Sequence, residues 1–224
     1  MRKLHHSGDR CKAQEDKSTR RIAIRNSYKA DQCNSHNDDY TNQGSAIVGC
    51  RKYRNPGMGE LVINGGFENQ SNPFFGWIIN SGVDQIDPGA GDTPHQGLNA
   101  ARLGFQNPYA LIYQDISHIL PGLNYQLNFF MSTVKDWGNA PVHVRLQFLD
   151  HCRNVLGSPA LDILIPQNSL HESYTAFINA TKVPAPQQTH FARVLFEINT
   201  GADADQSINL DDVSLISLRG SAHI

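Results

Sequence analysis

Period-two alternation constrains this chain more than any other feature. In residues 123–133, Leu123, Tyr125, Leu127, Phe129 and Met131 fall on one side of an extended chain, and Gln126, Asn128, Phe130 and Ser132 on the other. In residues 142–149, Val142, Val144, Leu146 and Phe148 alternate with His143, Arg145 and Gln147. A third run, 190–199, sends Ala192, Val194, Phe196 and Ile198 one way. Side chains of a strand alternate between two faces, so each run describes a sheet with one face buried. Shorter β-prone runs fall at 61–63, 74–80, 83–86, 100–105, 110–116, 161–165, 174–183 and 208–218. Turn signals such as Asp87-Pro88-Gly89 and Pro121-Gly122 separate them. No 3.6-residue period appears, and residues 168–172 hold one helical turn at most. Many short strands at regular spacing predict an all-β sandwich of two antiparallel sheets.

Charge divides the chain in two. Residues 1–59 carry a net +6 and residues 60–224 a net −8, within an overall −2. The sign changes where the composition changes, which places a boundary near residue 60. The first 59 residues hold too few apolar side chains for a core and are expected to be a disordered, basic, polar tail. Residues 219–224 are expected to be a short C-terminal tail. His5, His6, Cys11, Cys33, His36 and Cys50 lack the closely paired spacing of a zinc module. Acids intersperse the basic residues and only Tyr28, Tyr40 and Tyr53 could stack on bases, so no nucleic-acid partner is expected. No run approaches the ~18 apolar residues of a membrane span, so no membrane insertion is expected. The basic start is not followed by an apolar run of about 7–15 residues, so no secretory signal is expected.

Three motifs stand in order along the second part. They are Asn64-Gly65-Gly66-Phe67-Glu68 with Gly76-Trp77, then His95-Gln96-Gly97-Leu98-Asn99-Ala100-Ala101, then Leu210-Asp211-Asp212-Val213-Ser214-Leu215. Together they resemble carbohydrate-binding modules of families 4 and 9, jelly-roll sandwiches of the galactose-binding-like type. The middle is similar to the domain found ahead of collagen-like triple-helix repeats in Firmicutes. The residues that carry this second likeness are Gln147-Phe148-Leu149-Asp150, Leu156-Gly157, 163–166 and 181–186. The resemblance implies a jelly roll over residues 60–218. It also implies a structural calcium ion held by the Gly66 carbonyl, the Glu68 carboxylate, the His95 and Leu98 carbonyls, and Asp211. Calcium takes six to eight oxygen ligands, and turns and carboxylates supply them. The alternation of the closing run puts Asp211 in step with Val213 and Leu215, facing inward. An inward carboxylate costs several kcal/mol unless it is paired or metal-bound. Without a metal, Glu68 and Asp211 would instead bond backbone amides of neighbouring turns.

Sugars are bound by aromatic faces and planar polar side chains. Trp77, directly after Gly76, is expected in the core. Trp137 sits in the polar turn Lys135-Asp136-Trp137-Gly138-Asn139 and is expected to be exposed. Asn128, His143, Arg145 and Gln147 occupy the polar faces of the flanking strands, with Tyr109 and Tyr113 on another. If that face is concave, these seven residues form a binding groove; if flat, it is a solvated sheet face. No Gly-x-Ser-x-Gly elbow, phosphate loop or His-Glu-x-x-His occurs, so an enzyme is not expected. Two roles stay open. One is a non-catalytic module of a spore or cell surface, with structural calcium and weak binding of a polysaccharide or other glycan on one sheet. The other is a structural assembly domain of a spore or cell-surface collagen-like protein, a homo-oligomer with no sugar ligand. Spore outer-layer proteins are made inside a mother cell and need no export signal, so a spore-surface role stays open.

Overall fold

Strands form where the alternation places them. The computed structural model describes residues 59–86, 92–105, 107–134, 138–201 and 206–218. The 1–59 tail (Gly59 apart), Trp137 and residues 219–224 lie outside these. The strands are β1 (Ile78–Ile79), β2 (Val83–Gln85), β3 (Ala101–Leu103), β4 (Tyr109–Ile116), β5 (Asn124–Thr133), β6 (Val142–Leu149), β7 (Leu161–Ile165), β8 (Thr175–Ala180), β9 (Phe191–Asn199) and β10 (Ile208–Leu218). They make two five-stranded antiparallel sheets, ordered β1-β4-β9-β6-β7 and β2-β3-β10-β5-β8. This is the two-layered jelly-roll sandwich. No helix among the described residues is long and apolar enough to cross a membrane.

The core lies between the sheets. Tyr125, Leu127, Phe129 and Met131 of β5 are fully buried, as are Val142, Val144 and Leu146 of β6. Phe129 stacks on Phe177 of its neighbour β8, with centroids 4.9 Å apart, and meets Phe196 of the opposite sheet edge-on at 5.2 Å. This aromatic cluster ties one sheet to the other, and aromatic pairs add to the burial they contribute.

The opening segment departs from the expected strand. Residues 61–63 form no strand, and the run at 74–80 shortens to β1. Turns closed by Phe75 N–H to the Asn72 carbonyl and Trp77 N–H to the Phe74 carbonyl consume the rest. The Gln114 side chain substitutes for a strand neighbour. Its Oε1 accepts from the Ile63 N–H at 2.8 Å and its Nε2 donates to the Ile63 carbonyl at 2.9 Å. Trp77 is buried as expected, its Nε1 donating to the Asn64 carbonyl at 3.0 Å and its ring 5.5 Å from that of Phe67.

The closing strand corrects one expectation. Leu210 lies opposite Met131 and Asp211 opposite Phe130, but Ser214 then lies opposite Asn128. Two residues, Asp212 and Val213, thus face one, Phe129. This is a β-bulge, with Asp212 at φ 46°. It resets the alternation, so Asp211 is out of step with Val213 and Leu215. Asp211 points to the outer face of the second sheet, not to the core.

Replacing Gln114 by Leu should leave both Ile63 backbone groups without their partner and cost about 1–3 kcal/mol. Urea denaturation checks this; an unchanged midpoint would refute the stitching role.

Candidate functional site

Two sites come from the expectations above. The first surrounds the turn at residues 95–99. Asp211 is fully buried beneath that turn. Its Oδ2 accepts from the N–H groups of His95 at 2.9 Å and Gln96 at 3.2 Å, and its Oδ1 from that of Asp212 at 2.7 Å. Glu68 Oε1 accepts from the N–H groups of Leu98 and Asn99, both at 2.8 Å. Gly97 has φ +71°, and a Cβ there would collide with the Glu68 carboxylate, so the turn requires glycine. A Cβ on Gly66 would lie 3.2 Å from Asp212 Oδ1 and 3.9 Å from Asp211 Oδ1. All five residues expected around calcium therefore gather at one turn. What the turn presents to the acids is N–H.

His95 completes the group. Its Nδ1 lies 2.7 Å from Asp212 Oδ2, and its ring stacks on Phe130 at 3.7 Å. Burial pushes the Asp211 carboxyl up to about 7, and the neighbouring Asp212 charge adds to the rise, against the lowering by its three amide partners. Among the described residues, a trio of His, Cys, Asp or Glu side chains within 4.8 Å of one another occurs elsewhere, at Asp150, His151 and Cys152, but Cys152 is disulfide-bonded and has no free thiolate to offer. Asp150 Oδ1 there already accepts from the N–H groups of Cys152 and Asn154 in its own turn, at 2.8 and 2.9 Å.

The second site is a hollow of about 350 Å³ on the outer face of the first sheet, lined by Tyr109, Pro141, His143, Arg145, Glu197 and Asn199. Strand pairing assembles it: Tyr109 lies opposite Asn199, and Glu197 opposite His143. A chain of hydrogen bonds fixes the side chains. Tyr109 donates its O–H to Glu197 Oε1 at 3.0 Å, and Arg145 Nη1 donates to Glu197 Oε2 at 3.1 Å. Arg145 Nε reaches Asp162 Oδ1 at 3.4 Å. Tyr109 remains 41 % exposed. Burial and then the bond to Glu197 raise its phenol above the ordinary value.

Of the seven residues expected in a groove, Tyr109, His143 and Arg145 line this hollow. Tyr113 and Gln147 share its sheet face but lie outside the lining. Tyr113 is covered by the Arg193 guanidinium, 4.5 Å from its ring centroid, and Arg193 is itself held by Asp115. Asn128 does not join them: β5 and β6 belong to different sheets, and Asn128 is on the outer face of the second. Trp137 lies outside the described residues. Glu197 and Asn199 were not foreseen. The inward set of the 190–199 run implies that both point outward, but only the non-sequential placement of β9 between β4 and β6 brings them to Tyr109.

No family model matches the chain, and no curated protein does. Solved structures do. The enzymatically active domain of tailspike protein 4 of bacteriophage CBA120 matches with a TM-score of 0.54 at 18 % identity, over 71 % of this chain and 21 % of that one. The present chain thus spans about a fifth of the tailspike chain, and the likeness shows the fold alone. A family 61 carbohydrate-binding module in complex with β-1,4-galactotriose matches with a TM-score of 0.49 at 15 % identity, over 71 % and 99 % of the two chains. A family 22 xylan-binding domain from Paenibacillus barcinonensis matches with a TM-score of 0.47 at 12 % identity, over 74 % and 98 %. At these scores the two modules carry no argument about a ligand.

Asp211 makes a signed prediction for chelator-treated protein. Its folded pKa, about 7, is above the ordinary carboxyl value. The fold therefore holds the proton more tightly, and stability should fall as pH rises from about 4 to 7, by up to a few kcal/mol. Urea denaturation across that range reads the slope, and Asp211→Asn should flatten it. Equal slopes in the two proteins would refute the assignment.

Proposed function

We propose that the outer face of the first sheet binds a neutral glycan in the hollow beside Tyr109. One observation carries this reading: an exposed aromatic residue and four planar polar side chains converge there, with Tyr109, Glu197 and Arg145 already held by one another. The ring offers a face to sugar C–H groups. Glu197, Arg145, His143 and Asn199 offer donors and acceptors to hydroxyls. Two carboxylates balance the Arg145 charge, at 3.1 and 3.4 Å. No surplus positive charge is left to attract a uronate, so neutral sugars fit better than acidic ones. No acid–base pair or activated nucleophile is part of the proposal; the function is binding.

We also propose structural calcium at the 95–99 turn, with Gly66, Glu68, His95, Leu98 and Asp211 as its holders. The donor set supports it: three carboxylates, those of Glu68, Asp211 and Asp212, gather there, and among the described contacts the one basic side chain against them is the His95 imidazole. Calcium supplies charge neutralisation to these acids and ties the opening segment to β10.

Isothermal titration with neutral and uronate oligosaccharides tests the first proposal. Binding should favour neutral chains, and Tyr109→Ala should weaken it at least about tenfold, about 1.4 kcal/mol. Absence of binding to any oligosaccharide, or affinity untouched by Tyr109→Ala, would overturn it. Thermal unfolding with calcium and with chelator tests the second. Calcium at about a hundred times its dissociation constant should stabilise the fold by about 2.7 kcal/mol, and Asp211→Ala should abolish the gain. An unchanged melting temperature would leave the acids as partners of backbone amides alone.

A further inference from the structure

The outer strand of the second sheet, β8, pairs with β5 on one side, and nothing among the described residues pairs with it on the other. Sheet edges carry unpaired N–H and C=O groups, and proteins guard them with charge, proline, bulges or brevity. The other three edges are guarded in these ways. β1 has two residues, β2 has three with Asp84 at its centre, and β7 carries Asp162. β8 has six residues, Thr-Ala-Phe-Ile-Asn-Ala, without a charge or a proline, and its register with β5 is unbroken.

Backbone direction settles which groups are free. Thr181 N–H donates to the Tyr125 carbonyl at 2.8 Å. Antiparallel pairs alternate, so Asn179, Phe177 and Thr175 also bond towards β5. Ala176, Ile178 and Ala180 therefore direct N–H and C=O to the open edge. All three side chains are exposed, Ile178 by 69 %.

This edge is complementary to itself. Turned two-fold about Ile178, it sets Ala176 against Ala180 of a copy, Phe177 against Asn179, and Ile178 against Ile178. Small meets small, and no like charges meet. Charge does not oppose a second copy: the full chain is close to neutral, at −2, and β8 itself carries no charged residue. The outer face next to β8 presents Gln126, Asn128, Ser214 and Ile216, none of them charged.

We propose that β8 is a self-association edge. It pairs antiparallel with β8 of a second copy across a two-fold axis at Ile178, joining two five-stranded sheets into one. Such a contact uses the same surface on both copies and closes at two. Its small area makes the association weak and dependent on concentration.

Sedimentation equilibrium of the full chain, from micromolar to near-millimolar protein, tests this. The mass should move from 24.9 kDa towards twice that value. Ile178→Lys should stay monomeric with an unchanged melting temperature, while Leu164→Lys, on the β7 edge, should still dimerise. In hydrogen exchange, the Ile178 amide should slow as concentration rises, and the Asn179 amide should be protected throughout. A wild-type monomer at every concentration, a trimer, or a dimer that survives Ile178→Lys would overturn the proposal. So would an Ile178 amide already protected in dilute monomer, because another segment would then cover the edge.

Discussion

The bulge in β10 is the constraint on which the rest of the structure depends. β10 lies between β3 and β5, and the opening segment is tied to it. Leu61 N–H donates to the Leu215 carbonyl, Val213 N–H to the Gly65 carbonyl, and Leu215 N–H to Glu60 Oε1 at 2.9 Å. An unbroken strand would have sent Asp211 into an apolar core. The extra residue at the bulge turns it to the outer face, where three N–H groups meet its oxygens. A buried carboxylate is tolerated when its hydrogen-bonding capacity is filled. The 95–99 turn is shaped around that requirement, with Glu68 holding its other end and glycine at 97.

The two outer faces differ in kind. On the first sheet, Tyr109, Glu197, Arg145 and Asp162 form a continuous polar chain, and Asp115 with Arg193 covers Tyr113. The second sheet carries polar burial at one end, under the 95–99 turn, and an uncharged surface towards β8. Arg102 marks the buried end, held by Asp84 and Asp92 and lying 3.9 Å from the centroid of the Phe105 ring. One sheet is thus suited to directional contacts with a small polar ligand. The other presents an uncharged strand edge.

Local pattern was enough to locate most strands. The runs at 123–133, 142–149 and 208–218 correspond closely to β5, β6 and β10, because alternation and Gly/Pro turns are short-range signals. Strand adjacency was not legible. Asn128 and Arg145 sit on consecutive strands but on different sheets, since the chain crosses between layers after β5. Glu197 was hidden for the same reason: its partners Tyr109 and Arg145 lie 88 and 52 residues away in sequence. The bulge defeated the reading of Asp211 because a single inserted residue leaves hydrophobicity almost unchanged while reversing every face beyond it.

The strand order also bears on how the chain acquires its structure. β10 comes last in sequence yet sits in the middle of its sheet, and β9 sits in the middle of the other. During synthesis, β3 can pair with β2 and β5 with β8, but each keeps its other edge open until residues 208–218 leave the ribosome. Nearly all the stabilising contacts span long stretches of chain, so the loop-closure entropy falls early and the reward comes late. A topology of this kind folds slowly compared with a helical bundle of equal size, and the second sheet stays open to wrong strand partners until β10 joins β3 to β5.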